Sequence, residues 1–208
     1  MISNENYVKQ ILRSMTRMDY IKPEDIPDIE LYMDQVTTFM DEHLKSYKRF
    51  DDDKLLTKTM INNYTKNNLL PSPNKKKYSK EHMLLLIFIY YFKSFLSISD
   101  IQSIFGPLTE KFYGEGSSVN LEDIYKEVFS FEKNQMEHLV RDVINQYHQA
   151  EQTFTEVEKE EDREFLVIFS FICLLSFDVY VKKMIIEHLI DNRLKPGQSK
   201  KESERKEK

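Results

Sequence analysis

Two apolar runs govern what this chain can fold into. Met83–Phe92, "MLLLIFIYYF", and Phe165–Val181, "FLVIFSFICLLSFDVYV", are apolar on nearly every side when wound as helices. Each must therefore be enclosed from several directions. The first is the natural central helix of a small domain. The second can be enclosed only by neighbouring helices or by a second copy of the chain. A bilayer is the weaker enclosure, because its 17 residues reach about 25 Å as a helix against a roughly 30 Å hydrocarbon core. The run also carries Asp178 and follows the acidic stretch "EVEKEEDRE", so a buried helix is expected and no membrane span.

The remaining pattern is helical from end to end. Apolar residues recur at steps of three and four, and strand alternation is hard to find. Only four glycines and six prolines occur in 208 residues, which argues against a sandwich or barrel and against a glycine-rich nucleotide cradle. Helices are expected over about 4–18, 29–47, 57–68, 79–95, 97–105, 120–154 and from the acidic turn to about 192. Pro23 and Pro27 break the first connection, and Gly106-Pro107 is expected to stop the helix before it. After Leu194 no apolar residue remains, so a disordered tail is expected. The fold class is all-α.

Catalytic and metal chemistry find little support. Histidines 43, 82, 138, 148 and 188 are scattered, and the single Cys173 offers no disulfide or cysteine-based zinc site. His82 alone lies beside a segment of interest. Asp51–Asp53 reads as a polar helix boundary more economically than as a magnesium site. No P-loop, nucleophile elbow, HExxH or dinucleotide fingerprint is present. No enzyme activity, cofactor or metal is expected.

Charge is segregated. From Lys54 to His82 seven lysines face one acid, Glu81, so this segment is +6 and leaves −11 for the rest of a chain totalling −5. An acidic body repels a phosphate backbone, so contact with nucleic acid would have to be made here. On a helix, Met60, Ile61 and Tyr64 form an anchoring side, with Leu69 just beyond it. Lys58, Thr59, Asn62 and Lys66 fall opposite. Asparagine can pair bidentately with adenine, and lysine reaches guanine or phosphate. Lys75, Lys76, Lys77 and Lys80 follow as candidate phosphate contacts. The plainer alternative is a solvated surface.

"TKTMINNYTKNNLL" followed by "KKKYSKEHMLLLIFIYYFKSFLSISDIQSIF" resembles the winged helix-turn-helix of the MerR regulators. Tyr64, Leu69, Leu70, Pro71, Tyr78 and Ser79 match its recognition helix, wing and following cap. Asn68 stands where that family has glycine, Asn62-Asn63 replaces its Arg-Tyr pair, and the wing is shorter. From "PDIELYMDQVTTFMD" through "SIF", roughly residues 25–110, the chain is similar to an uncharacterised Firmicute family (domain of unknown function 1836, YkrK-like). These resemblances imply a MerR-like DNA-binding domain in a transcription regulator.

The expectation is therefore an N-terminal helix and linker (1–27), a MerR-like helix-turn-helix (28–110), a C-terminal helical hairpin for dimerisation or sensing (111–193) and a charged tail (194–208). The expected partners are double-stranded DNA and a second copy, in the cytoplasm, with a small-molecule effector left open. The competing expectation is a helical protein-interaction module that keeps the shape without binding DNA.

Overall fold

A computed structural model describes residues 4–15, 20–114 and 116–195. The expected tail beyond 195 and the end of the first helix lie outside the described residues. Among the described residues the chain is all-α but for two strands of two residues each: α1 (Asn4–Met15), β1 (Leu31–Tyr32), α2 (Met33–His43), α3 (Lys58–Lys66), β2 (Lys77–Tyr78), α4 (Lys80–Phe92), α5 (Ile98–Phe112), α6 (Leu121–Ser130), α7 (Glu132–Glu151) and α8 (Glu160–Leu189). They divide into two compact units.

The larger unit comprises residues 20–129 together with 187–195. Its centre is α4, where every residue from Met83 to Ile89 is buried. That satisfies the demand of the first apolar run. Rings pack around it: Phe88 lies 5.2 Å from Tyr125 and 6.4 Å from Phe105, and Tyr125 lies 4.4 Å from Phe129. The fully buried Tyr125 also donates its hydroxyl to the Ile21 carbonyl at 2.7 Å. With Ile21, Ile26 and Leu121 buried as well, this unit extends past the expected limits of 28–110 at both ends.

Local chemistry explains several departures. The expected helix over 29–47 begins later, at Met33, because Leu31 and Tyr32 pair antiparallel with Tyr78 and Lys77. The expected stop at Gly106-Pro107 does not occur, and α5 runs on to Phe112. Proline ends helices partly by clashing with the Cβ of the residue before it, and Gly106 has none. Thr109 Oγ1 also donates to the Phe105 carbonyl at 2.8 Å within the same turn. Asp53, in the acidic triplet, accepts from the backbone N–H groups of Arg49 (3.1 Å) and Phe50 (3.0 Å), which makes it a turn residue.

Asn120 and Asp123 open α6 by accepting each other's N–H groups, at 2.8 and 3.2 Å. The expected single helix from there to Phe154 is two, interrupted at Phe131, and the unit boundary falls beside that break.

The smaller unit, residues 4–15 and 130–186, packs Val8 and Leu12 of α1 against Tyr147 and Ala150 of α7 and Val167 and Phe171 of α8. Burial, followed by the nearby carboxylates of Glu151, Glu5 and Glu164, pushes the Tyr147 phenol up to about 12. Within the apolar run of α8 only Val167 and Phe171 are buried. The expectation of a buried second helix is thus corrected, since within this unit α1 and α7 cover only one side of α8.

Candidate nucleic-acid interface

Helix α3 is held at both ends by its own sequence. Thr57 Oγ1 accepts the Met60 N–H at 3.2 Å, an N-cap. At the other end Asn68 takes φ of 55°, the Asn68 N–H bonds the Thr65 carbonyl at 3.2 Å, and the Leu69 N–H bonds the Tyr64 carbonyl at 2.9 Å. This is a Schellman closure with asparagine in the left-handed position that glycine usually takes. Ile61, Tyr64, Leu69 and Leu70 are buried and Met60 is half-buried, so this side of α3 faces the core. Burial also raises the Tyr64 phenol above its ordinary value. Lys58, Thr59, Asn62, Asn63, Lys66 and Asn67 are exposed. Asn63 and Asn67 were not among the expected contacts, and Asn67 Nδ2 donates to the Asn63 carbonyl at 2.8 Å.

The wing is a very short hairpin. β2 pairs with β1 through Tyr78 opposite Leu31 and Lys77 opposite Tyr32. Before it, the Lys77 N–H bonds the Asn74 carbonyl at 2.8 Å, closing a four-residue turn whose central residues are Lys75 and Lys76. Both have positive φ, 48° and 65°. Two positive φ values define a type I′ turn, which favours Asn-Gly. A lysine in the left-handed region costs roughly 1–2 kcal/mol, and here two stand side by side at an exposed tip.

Not every expected lysine joins this surface. Lys80 turns to Asp28 (3.1 Å) and Glu122 (3.0 Å), and its side chain is only 22% exposed. Burial works against its charge, but hydrogen bonds to those two carboxylates outweigh it and raise the ammonium above the usual lysine range. Lys80 therefore belongs to the scaffold, because its charge is already compensated by acids from elsewhere in the chain. No local signal could reveal this, as the partners lie 52 and 42 positions away. Lys58 pairs with Asp34, and Lys77 lies over the Tyr32 ring, 5.6 Å from its centroid. Thr59, Asn62, Lys66, Lys75 and Lys76 are all exposed.

His82 ties the wing to α5. It is 4% exposed and accepts the Ser79 N–H at Nδ1 (3.0 Å); the Tyr113 hydroxyl lies 3.0 Å from its ring nitrogens. The rings of Tyr78 and Tyr113 meet it edge-on at 5.4 Å. Burial lowers its proton affinity below the ordinary 6.5, against backbone hydrogen bonds with Pro71 and Ser72 and the charge of Glu30, which favour the charged form.

The unfolded chain thus binds this proton more readily than the native one. Native stability contributed by the neutral ring is present above about pH 6.5 and declines as pH falls below it. The urea midpoint should drop between pH 7.5 and 5.5, and His82→Gln should flatten that part of the profile. An unchanged profile in the variant would show that other groups carry the dependence. Among the described residues no group of three or more His, Cys, Asp or Glu side chains is placed to hold a metal.

No curated protein and no solved structure matches the chain. One family profile does, that of a domain of unknown function, DUF1836, over residues 21–128. Those limits nearly coincide with the 20–129 portion of the larger unit, including the α6 residues that supply Leu121 and Tyr125 to its core. The compact unit that carries α3 and the lysine turn is thus the part of the chain that the family profile covers, and the chain belongs to the DUF1836 family.

Proposed function

We propose that this protein is a DNA-binding transcriptional regulator of the cytoplasm, acting as a repressor, with a MerR-like winged helix-turn-helix in its larger unit. Helix α3 enters the major groove, with Thr59, Asn62 and Lys66 toward base edges and phosphates, and the turn at Lys75-Lys76 rests on the sugar-phosphate backbone. The observation that carries this reading is the pair of lysines in the left-handed region at the tip of the turn. Such residues concentrate where function opposes stability, and cations at an exposed tip suit a polyanion. The anchored α3 supports it, since one side is buried and the other offers amides, a hydroxyl and ammonium groups.

A second reading, a protein-interaction module of the same shape, is favoured by the ion pairs of Lys58 and Lys80 and by the 14-residue connection between α2 and α3. That connection is much longer than the 3–4-residue turn usual in a helix-turn-helix. Fluorescence anisotropy with a labelled mixed-sequence duplex separates the two. DNA binding predicts saturable binding at low salt, weakening with a logarithmic slope of about −0.9 per phosphate contact. No binding at 20 mM salt, at tens of micromolar protein, would favour the interaction module.

A further inference from the structure

We infer that α3 reads A·T base pairs in the major groove, with Asn62 and Asn63 each pairing to an adenine. This rests on the DNA-binding reading above and adds the class of sequence bound. Wound at about 100° per residue, Thr59, Asn62, Asn63 and Lys66 fall within about 100° of arc. All four are exposed, on the side away from the buried Ile61 and Tyr64. They cover about 10 Å of helix, or roughly three base-pair steps.

The other polar side chains of this segment are already engaged. Thr57 caps the helix, Thr65 Oγ1 donates to the Ile61 carbonyl at 3.3 Å, and Asn67 Nδ2 donates to the Asn63 carbonyl at 2.8 Å. Lys58 pairs with Asp34. The side chains of Thr59, Asn62, Asn63 and Lys66 make no hydrogen bond or ion pair with any other described residue. The unspent donors and acceptors of α3 are therefore the ones on its outward face.

Solvation alone does not account for that choice of residues. Asparagine and threonine are among the poorer helix formers, and α3 has only nine residues, too few for a helix to hold without tertiary help. Lysine, glutamate or glutamine would solvate the same positions and favour the helix. Thr59, Asn62 and Asn63 stand where no packing requires them, so they work against the helix that carries them. A ligand with matching donors and acceptors gives them a use.

Hydrogen-bond chemistry selects the base. Adenine presents the N7 acceptor beside the N6 donor, and a carboxamide offers one donor and one acceptor, so it meets both at once. Guanine presents two acceptors, which suit the two-donor fork of arginine. No arginine occurs between Arg49 and Arg141, so neither α3 nor the lysine turn carries such a fork. Lys66 can serve one guanine or a phosphate. The Thr59 methyl suits the C5-methyl of thymine.

The test selects duplexes of about 20 base pairs from a random-sequence pool with the full chain at low salt. Enriched sites should carry two adenines, on either strand, within about four successive base pairs. Replacing either one with 7-deazaadenine, which pairs normally but lacks N7, should weaken binding about five- to 150-fold, the worth of one bidentate contact. Asn62→Ala and Asn63→Ala should each erase the preference at one of the two positions. The salt slope should stay the same, because neither change removes a cation. Both variants should melt no lower than the wild type, since alanine favours the helix. Enriched sites dominated by G·C pairs, or retention without enrichment, would overturn the proposal and leave the DNA-binding reading standing. So would an A·T preference indifferent to 7-deazaadenine, which reports minor-groove shape instead, or a double alanine variant that selects the same sites. Retention of no duplex at all would overturn both.

Discussion

Changing Lys75-Lys76 to Asn-Gly should make the protein more stable and worse at holding DNA. The turn from Asn74 to Lys77 demands positive φ at both central positions. Asparagine and glycine meet that demand with less strain than lysine, so the free energy of unfolding should rise by about 1–2 kcal/mol. Relief of repulsion between the two ammonium groups acts in the same direction. Affinity for duplex should fall on the order of tenfold or more, and the salt slope should become shallower by about 1.8 if each lysine meets one phosphate. Urea unfolding and anisotropy on the same preparation measure both.

The opposite signs give this experiment its force, because a damaged fold loses stability and binding together. Lys75→Ala with Lys76→Ala is the control. It should lose the same affinity with only the small gain that relief of repulsion brings, since alanine tolerates positive φ no better than lysine. If Asn-Gly leaves duplex affinity unchanged, the turn is no phosphate contact and the interaction-module reading gains.

Tyr125→Ala should cost about 3–5 kcal/mol of unfolding free energy, the range for deleting a buried aromatic whose site cannot collapse. The cavity would open among Phe88, Phe129 and Tyr20, rings too rigid to fill it by rotation. Tyr125→Phe separates packing from hydrogen bonding. It keeps the ring but removes the donor to the Ile21 carbonyl, and should cost about 1–3 kcal/mol. Denaturation followed by far-ultraviolet circular dichroism suffices for both. A loss below 1 kcal/mol for alanine would mean that α6 is an appendage to the larger unit.

The sequence carried most of the local structure in plain view. Thr57 and the Asn120–Asp123 pair mark helix starts because a side-chain oxygen or carboxylate placed there meets N–H groups that the helix leaves open. Asn68 marks the end of α3 because few residues other than glycine enter the left-handed region as readily. The inner side of α3 and the burial of Met83–Ile89 follow from periodicity and from a run too apolar to face water. Gly106-Pro107 misled because the same glycine that usually signals a turn here removes the clash by which proline stops a helix. The strands escaped notice for another reason: two residues are too few to establish an alternation.

What sequence by itself determined about this protein is the set of helices, their caps and the segregation of lysines into one segment, all of which depend on residues a few positions apart. Tertiary structure alone decided which lysines are compensated by acids within the chain, since Asp28 and Glu122 reach Lys80 from 52 and 42 positions away. It also decided that α8 keeps an apolar stripe in the open, because how many sides of a helix are covered depends on how many neighbours the fold supplies.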